Sequence, residues 1–335
     1  MFLCIDLFCT LFVSLIIGIN EYKTILFMNT IKYSLSRKVM FSGIIMIMIS
    51  FQLTGQKNYP PDITCDEVVT YKSADNIDLK LWIFNPAEHS PDAQSPAIVF
   101  YFGGGWNAGS PEQFVKHCEY LSARGMVAMV ADYRVASRND VRAKTCVADA
   151  KSAVRWIREH AGELGVDPGR IAAGGGSAGG HLAAATATLT KFDEAGKNLK
   201  ISSRPNALVL FNPVLILAPL EDVTPEEKKK LKNLEDRLGA KPEDMSPYHN
   251  ISPGIAPTII FHGTSDKTVP FNSVEEFTTQ MKKAGNSCIL AAYENEGHGF
   301  FNYGKKDNGA FVSTVSLMDE FFVKMGWLKA VPEPL

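Results

Sequence analysis

The most chemically suggestive stretch of the chain is Gly174-Gly175-Gly176-Ser177-Ala178-Gly179-Gly180-His181, which follows the short run 170–174 and precedes the alanine-rich, helix-forming run 182–189. Gly175-x-Ser177-x-Gly179 is the spacing of a serine on a sharp strand-to-helix turn, where glycines are needed on both sides because the backbone approaches itself closely. Ser177 would then project at a helix N-terminus, whose dipole favours developing negative charge. That is the chemistry of a nucleophile. Gly-rich turns also bind phosphate, but here no Walker lysine follows and no GxGxxG is paired with an acidic residue about 20 positions on.

A nucleophilic serine needs a base, a group to orient that base, and donors for the oxyanion formed in acyl transfer. His298 stands between Gly297 and Gly299 in NEGHGF, after the strand-like run 288–293, and is the candidate base. Asp266, in the loop after the run 257–262 (PTIIFH), is the candidate acid, which gives the chain order Ser177, Asp266, His298. Glu294 and Glu296 are rival acids, but so close in sequence to His298 they are expected to be solvated loop charges. Phe102-Gly103-Gly104-Gly105-Trp106 follows another apolar strand, 97–102, and three successive glycines can turn their N–H groups toward one point. The N–H groups of Gly104, Gly105 and Ala178 are therefore the candidate oxyanion hole, each such donor being worth about 3 to 4 kcal/mol. Trp106 and Phe300, or Phe301, are candidate pocket walls, with core packing the alternative for each.

The other polar residues read as structural. His89, His117, His160 and His249 show no pairing pattern and are expected at the surface or at helix ends. His181 lies about one helical turn after Ser177, at a helix-interior position that suits a structural role, and His262 is expected to pack beside the acid loop. Asp132-Tyr133-Arg134, at a strand end, is expected to be a buried hydrogen-bonded cluster. Cys65, Cys118, Cys146 and Cys288 show no CxxC or Cys/His metal spacing, which leaves disulfide pairing and buried free thiols both open.

Positioning these groups requires strands that end where the chemistry begins. Antiparallel strands are expected over 67–71 and 78–84, then strands over 97–102, 127–133, 170–174, 207–212, 257–262 and 288–293. Amphipathic helical stretches such as 143–162 lie between them. This alternation predicts an α/β architecture, a mostly parallel central sheet with helices on both faces. In open parallel sheets ligands bind outside the carboxyl ends of the strands, which is where every candidate residue stands. Residues 215–256 are too long for an ordinary connection. Their charged middle, 224–238, has Thr224 as N-cap, Pro225 at the first helical position and Gly239 after the end, so a small helical insertion over the site is expected, with a plain surface helix as the alternative.

The 335 residues carry 46% hydrophobic and 21% charged side chains, with 34 basic against 36 acidic. Nothing in that balance draws the chain to nucleic acid or to an anionic membrane. The N-terminal residues are atypical of a folded domain: apolar runs cover 1–19, broken by Asp6, and 39–53, preceded by Lys32, Arg37 and Lys38. A basic region, a fifteen-residue apolar run and then Thr54-Gly55-Gln56 have the layout of a signal peptide. Residues 1–55 are expected to direct export, to the periplasm or outside, leaving 56–335 as one catalytic domain with no stable membrane partner. Translation from Met28 would make the signal complete, whereas a start at Met1 leaves a hairpin anchor open. Gln56 stands where a lipid anchor would need cysteine.

Together these motifs resemble the α/β-hydrolase superfamily, in particular its hormone-sensitive-lipase-like and bacterial acetylxylan and feruloyl esterase branch, over residues 62–327. In that branch the glycine loop reads His-Gly-Gly-Gly-Trp and the elbow often Gly-Asp-Ser-Ala-Gly-Gly. Here Phe102 and Gly176 depart from it, and Phe102 lacks a side chain that can brace the loop, while Asp-x-x-Val-Pro at 266–270 and Gly-His-Gly-Phe at 297–300 match. The resemblance implies a serine carboxylesterase without cofactor or metal, acting on short acyl groups such as acetyl on xylan or a related polysaccharide. A serine peptidase of the prolyl-oligopeptidase kind shares the triad, but no propeller-like repeat precedes the domain. A catalytically inactive binding module is the non-enzyme alternative.

Overall fold

The computed structural model describes residues 59–330, except 195, 197 and 222–224. Every described residue belongs to one compact unit. The export segment expected over 1–55 lies outside the described residues.

Eight strands form one sheet: β1 (Glu67–Ala74), β2 (Ile77–Phe84), β3 (Ser95–Tyr101), β4 (Val127–Ala131), β5 (Val166–Gly176), β6 (Ala207–Phe211), β7 (Thr258–Gly263) and β8 (Cys288–Tyr293). Their order is β1-β2-β4-β3-β5-β6-β7-β8. β1 and β2 pair antiparallel, β2 meets β4 antiparallel, and every pair from β4 onward is parallel. The strand that leads into the elbow is longer than the sequence suggests. β5 begins at Val166, because Ser95 pairs with Val166 before the register shifts to Ala97 with Ile171.

Alternation along each strand builds a core on both faces. In β3, Ala97, Val99 and Tyr101 join one apolar cluster while Ile98 and Phe100 join the other. The first cluster is covered by α2 (Ala143–Glu159), α3 (Ala178–Thr188), α4 (Pro225–Leu238) and α5 (Phe271–Lys283), and the second by α1 (Val115–Ala123) and α6 (Gly309–Lys324). In α2 the expected apolar stripe of Val147, Ala150, Val154 and Ile157 is fully buried. α4 is the predicted insertion helix, with Gly239 after its end at φ 72°.

The cluster after β4 is ionic and buried, as its strand-end position suggested. Arg134 grips Asp149 in a fork, Nε to Oδ2 at 2.9 Å and Nη2 to Oδ1 at 2.7 Å, and Lys72 Nζ reaches the same carboxylate at 2.6 Å. Tyr71 donates to the Asp132 carbonyl at 2.7 Å, so the antiparallel hairpin is tied to the parallel sheet through polar groups as well as pairing. Among the described residues, Cys65, Cys118, Cys146 and Cys288 are all free thiols.

One expectation fails here. His117 is not at a surface or helix end; it is fully buried among Phe114, Phe211 and Phe311, with ring centres 4.9 to 5.2 Å away. Neither ring nitrogen has a hydrogen-bond partner among the described residues, and burial pushes its pKa down to about 3. No local pattern reports the five aromatic side chains that meet it, Phe100, Phe114, Phe211, Phe301 and Phe311. The unfolded chain protonates such a histidine below about pH 6.5 and the native state does not, so its contribution to stability is full above that pH and is lost as pH falls toward the folded value. His117→Phe should therefore lose less stability than wild type between pH 6.5 and 4, by on the order of 3 kcal/mol in urea titrations at each pH. Identical pH slopes would show that the native imidazole takes up a proton after all.

Candidate active site

Ser177 ends the turn between β5 and α3 at φ 53°, ψ −116°, a conformation rarely tolerated by a residue with a Cβ. It is held by its neighbours. Its N–H donates to the Phe211 carbonyl at 2.9 Å, and its own carbonyl accepts from His181 at 3.0 Å and Val214 at 3.3 Å. The flanking glycines are demanded by contact: a Cβ at Gly179 would lie 2.0 Å from the Tyr101 carbonyl oxygen, and one at Gly175 would lie 2.6 Å from the same atom. The elbow is thus pressed against the end of β3.

The ends of β7 and β8 bring up the other two groups. His298 Nε2 lies 3.0 Å from Ser177 Oγ, and His298 Nδ1 lies 2.7 Å from Asp266 Oδ2. With the carboxylate accepting at Nδ1, that nitrogen carries the proton and Nε2 offers its lone pair to the serine hydroxyl. Asp266 Oδ1 accepts N–H bonds from Thr268 at 2.8 Å and Val269 at 2.9 Å, and the side chain is fully buried. Burial by itself would raise the Asp266 pKa. The hydrogen bond and charge of His298, then His262 and the Val269 N–H, outweigh it and hold the carboxyl below its usual value. His262 stands 3.5 Å from Asp266 Oδ2 and donates to the Val269 carbonyl at 2.8 Å, and burial lowers its pKa to about 4, so it braces the acid loop as a neutral ring. The rival acids lie elsewhere: Glu294 is exposed, and Glu296 pairs with Lys306.

Gly103, Gly104 and Gly105 run past the serine. The Cβ position of Gly103 lies 3.5 Å from Ser177 Cβ, and Gly104 takes φ 124° with the Ala108 carbonyl only 2.1 Å from where a Cβ would stand. The Gly103 N–H is taken by Gln113 Oε1 at 2.7 Å. Those of Gly104 and Gly105 meet no protein acceptor among the described residues, and Ala178, first in α3, has no intrahelical acceptor for its N–H. The loop does not lack a brace for want of histidine at 102. The Phe102 ring stacks on Tyr133 at 4.1 Å, Tyr133 Oη donates to the Phe102 carbonyl at 2.7 Å, and Arg237 of α4 donates to the Gly105 carbonyl at 2.6 Å. The insertion therefore touches the loop itself.

Of the two roles open to Trp106 and Phe300, wall or core, the packing of both is that of buried side chains. Trp106 is 2% exposed and donates to His181 Nδ1 at 3.2 Å, while Phe300 is 5% exposed and packs on Tyr293. His181, whose other nitrogen donates to the Met245 carbonyl at 2.8 Å, is structural, and burial lowers its pKa to about 4. Three amides that sequence reasoning missed tie the loops together. Asn212, after β6, accepts the Gly299 N–H at 2.8 Å, Asn302 donates to the Gly299 carbonyl at 2.9 Å, and Gln113 donates to Asn302 at 2.9 Å. Asn212 was visible only as a polar end to an apolar strand; Gln113 and Asn302 carry no local signal.

The family model described as BD-FAE matches residues 81–281, and that of the dienelactone hydrolase family matches residues 239–325. The chain is 23% identical over 309 residues to an acetylxylan esterase of Xylanibacter ruminicola, covering 90% of this chain and 56% of that protein. It spans about half the length of the curated relatives it matches. Thermogutta terrifontis esterase 2 is similar in structure. Its propionate-bound form is 52% identical with a TM-score of 0.79, and its form phosphorylated by paraoxon is 51% identical with a TM-score of 0.76; each match covers 82% of this chain and 100% of that one.

Because backbone atoms crowd the elbow from two sides, Gly179→Ala should cost about 3 kcal/mol in urea unfolding. A loss below about 1 kcal/mol would mean that β3 can withdraw from the turn without consequence.

Proposed function

Because this chain belongs to the BD-FAE family, within the esterase branch of the α/β-hydrolases, we propose that it is a serine carboxylesterase that removes short acyl groups, acetyl above all, from polysaccharide. The observation that carries this reading is the continuous hydrogen-bonded line from Ser177 Oγ through His298 to Asp266. In the reaction Ser177 Oγ attacks the ester carbonyl carbon while His298 Nε2 takes its proton. The oxyanion is received by the N–H groups of Gly104, Gly105 and Ala178, which have no other acceptor among the described residues, so they stay available as charge develops. His298 then protonates the departing alcohol oxygen. Water, deprotonated by the same nitrogen, attacks the acyl-enzyme and restores the serine. Asp266 stays ionised throughout and holds the imidazole in the tautomer that accepts from Ser177.

Two comparisons support the substrate. Acetylxylan esterase is the name of a relative matched over most of this chain, and propionate is bound in a structure of the similar thermophilic esterase. The deep packing of Trp106 and Phe300 also leaves no broad apolar surface at these two positions for a long acyl chain. We further propose that residues 1–55 direct export, on the strength of the basic and apolar runs ending at Leu53. Mass spectrometry of the protein from its own cells should find an N-terminus near Gln56, and a retained N-terminal segment would refute it.

On p-nitrophenyl acetate and acetylated xylan, Ser177→Ala and His298→Ala should each lower kcat by about 10³-fold or more, and Asp266→Asn by about 10³ to 10⁴-fold. Glu296→Gln should stay within about threefold of wild type. Paraoxon should leave its phosphoryl group on Ser177, read by peptide mass. Full activity in Ser177→Ala would end the serine reading, and a larger loss in Glu296→Gln than in Asp266→Asn would reassign the acid.

A further inference from the structure

Beside the site a cleft of about 570 Å³ opens between the segment at Asp62, the outer face of α1 and the loop that follows His298. That volume lies within the range of small-molecule sites, about 300 to 1,000 Å³. Its inner wall is the amide pair Gln113 and Asn302, which bond to each other and hold the glycine loop and the histidine loop respectively. Gln113 Oε1 and Ser177 Cβ each lie 3.5 Å from the same point, the Cβ position of Gly103, so an amide of the cleft's inner wall and the serine flank one glycine.

Its outer wall is chemically different. Tyr303 is a large aromatic residue left 54% exposed, although the turn that carries it is well built: Lys305 N–H donates to the Asn302 carbonyl at 3.3 Å, and Gly304 N–H to Asn308 Oδ1 at 2.6 Å. The Tyr303 and Phe311 rings meet edge to face, with centres 5.2 Å apart and planes at 78°. Around it stand Asp62, Glu112 and Lys116, the last with its ammonium 5.7 Å from the ring centre. An exposed aromatic ring, two amides and charged groups of both signs, Lys116 already paired with Glu119 at 2.7 Å, suit a neutral ligand with apolar C–H faces and many hydroxyls. They do not suit a fatty chain, which would desolvate the carboxylates without pairing them.

We propose that this cleft is a saccharide subsite: sugar units adjoining the acylated one lie along α1, with one stacked on Tyr303 and hydroxyls bonded to the free edges of Gln113 and Asn302. This assignment rests on the polysaccharide-ester reading and adds the place where the glycan alcohol is held. Binding there also presses on the two amides that hold the catalytic loops.

The test compares wild type, Tyr303→Ala and Tyr303→Phe on an acetylated xylo-oligosaccharide and on p-nitrophenyl acetate. Tyr303→Ala should raise KM for the oligosaccharide about five- to tenfold with kcat within twofold, while p-nitrophenyl acetate kinetics stay as in wild type. Tyr303→Phe keeps the ring and should match wild type on both. Unchanged oligosaccharide kinetics in Tyr303→Ala, an equal loss on both substrates, or an equal loss in Tyr303→Phe would each overturn the subsite. A calorimetric titration of Ser177→Ala with unacetylated xylo-oligosaccharide, with and without Tyr303→Ala, separates the two readings. Binding that weakens with Tyr303→Ala supports the subsite even if acetylated xylan is not turned over, in which case only the esterase substrate is wrong. Absence of binding together with absence of xylan turnover rejects both.

Discussion

The contact on which the rest depends is the backbone of the elbow pressed against the end of β3. At Gly175 and Gly179 a Cβ would overlap the Tyr101 carbonyl, and this closeness is what drives Ser177 into its strained φ and ψ. The strain is sustained because β3, β5 and β6 are adjacent, fully paired strands buried on both faces. A serine in relaxed backbone would lie along the helix. Strained, it lifts its hydroxyl beyond the sheet, beside the glycine loop that leaves β3 and under the loop that leaves β8.

Sheet order then explains why the remaining groups converge. β7 and β8 lie two and three strands from β5, so the histidine loop has to fold back across the ends of β7 and β6 to reach the serine. Asn212 at the end of β6 receives it, through the Gly299 N–H, and Asp266 at the end of β7 catches the imidazole as it passes. The acid is buried, a position that alone would favour its neutral form. Two backbone N–H groups and two histidines on its oxygens reverse that preference, and the resulting carboxylate sets the tautomer of His298. The glycine loop is braced in turn by aromatic stacking at Phe102, by Gln113 and by Arg237 from the insertion helix. A family position that often holds histidine is therefore filled here by packing, without loss of a fixed loop.

Much of this was legible beforehand because it follows from local chemistry. The short, continuously apolar runs AIVFYF and ALVLF located β3 and β6 as buried strands, the 3.6-residue stripe of Val147 to Ile157 located α2, and Thr224, Pro225 and Gly239 bounded the insertion helix to within a residue. What failed was burial of single side chains. His117 reads as a surface or helix-end residue and Trp106 as wall or core alike, yet His117 packs against Phe211 and Trp106 against His181, both distant in sequence. No periodicity reports such contacts.

The sequence by itself determined the order of strands and helices, the elbow, the glycine loop and which serine, aspartate and histidine stand at strand ends, since glycine spacing and alternation are local consequences of backbone sterics. Only the tertiary structure decided which carboxylate meets His298, that Gln113, Asn212 and Asn302 join the loops, and that a ligand-sized cleft with Tyr303 at its rim lies beside them. Those are through-space relations between loops leaving different strands. They depend on sheet order and on the angle at which each loop leaves its strand, quantities that chain spacing does not encode.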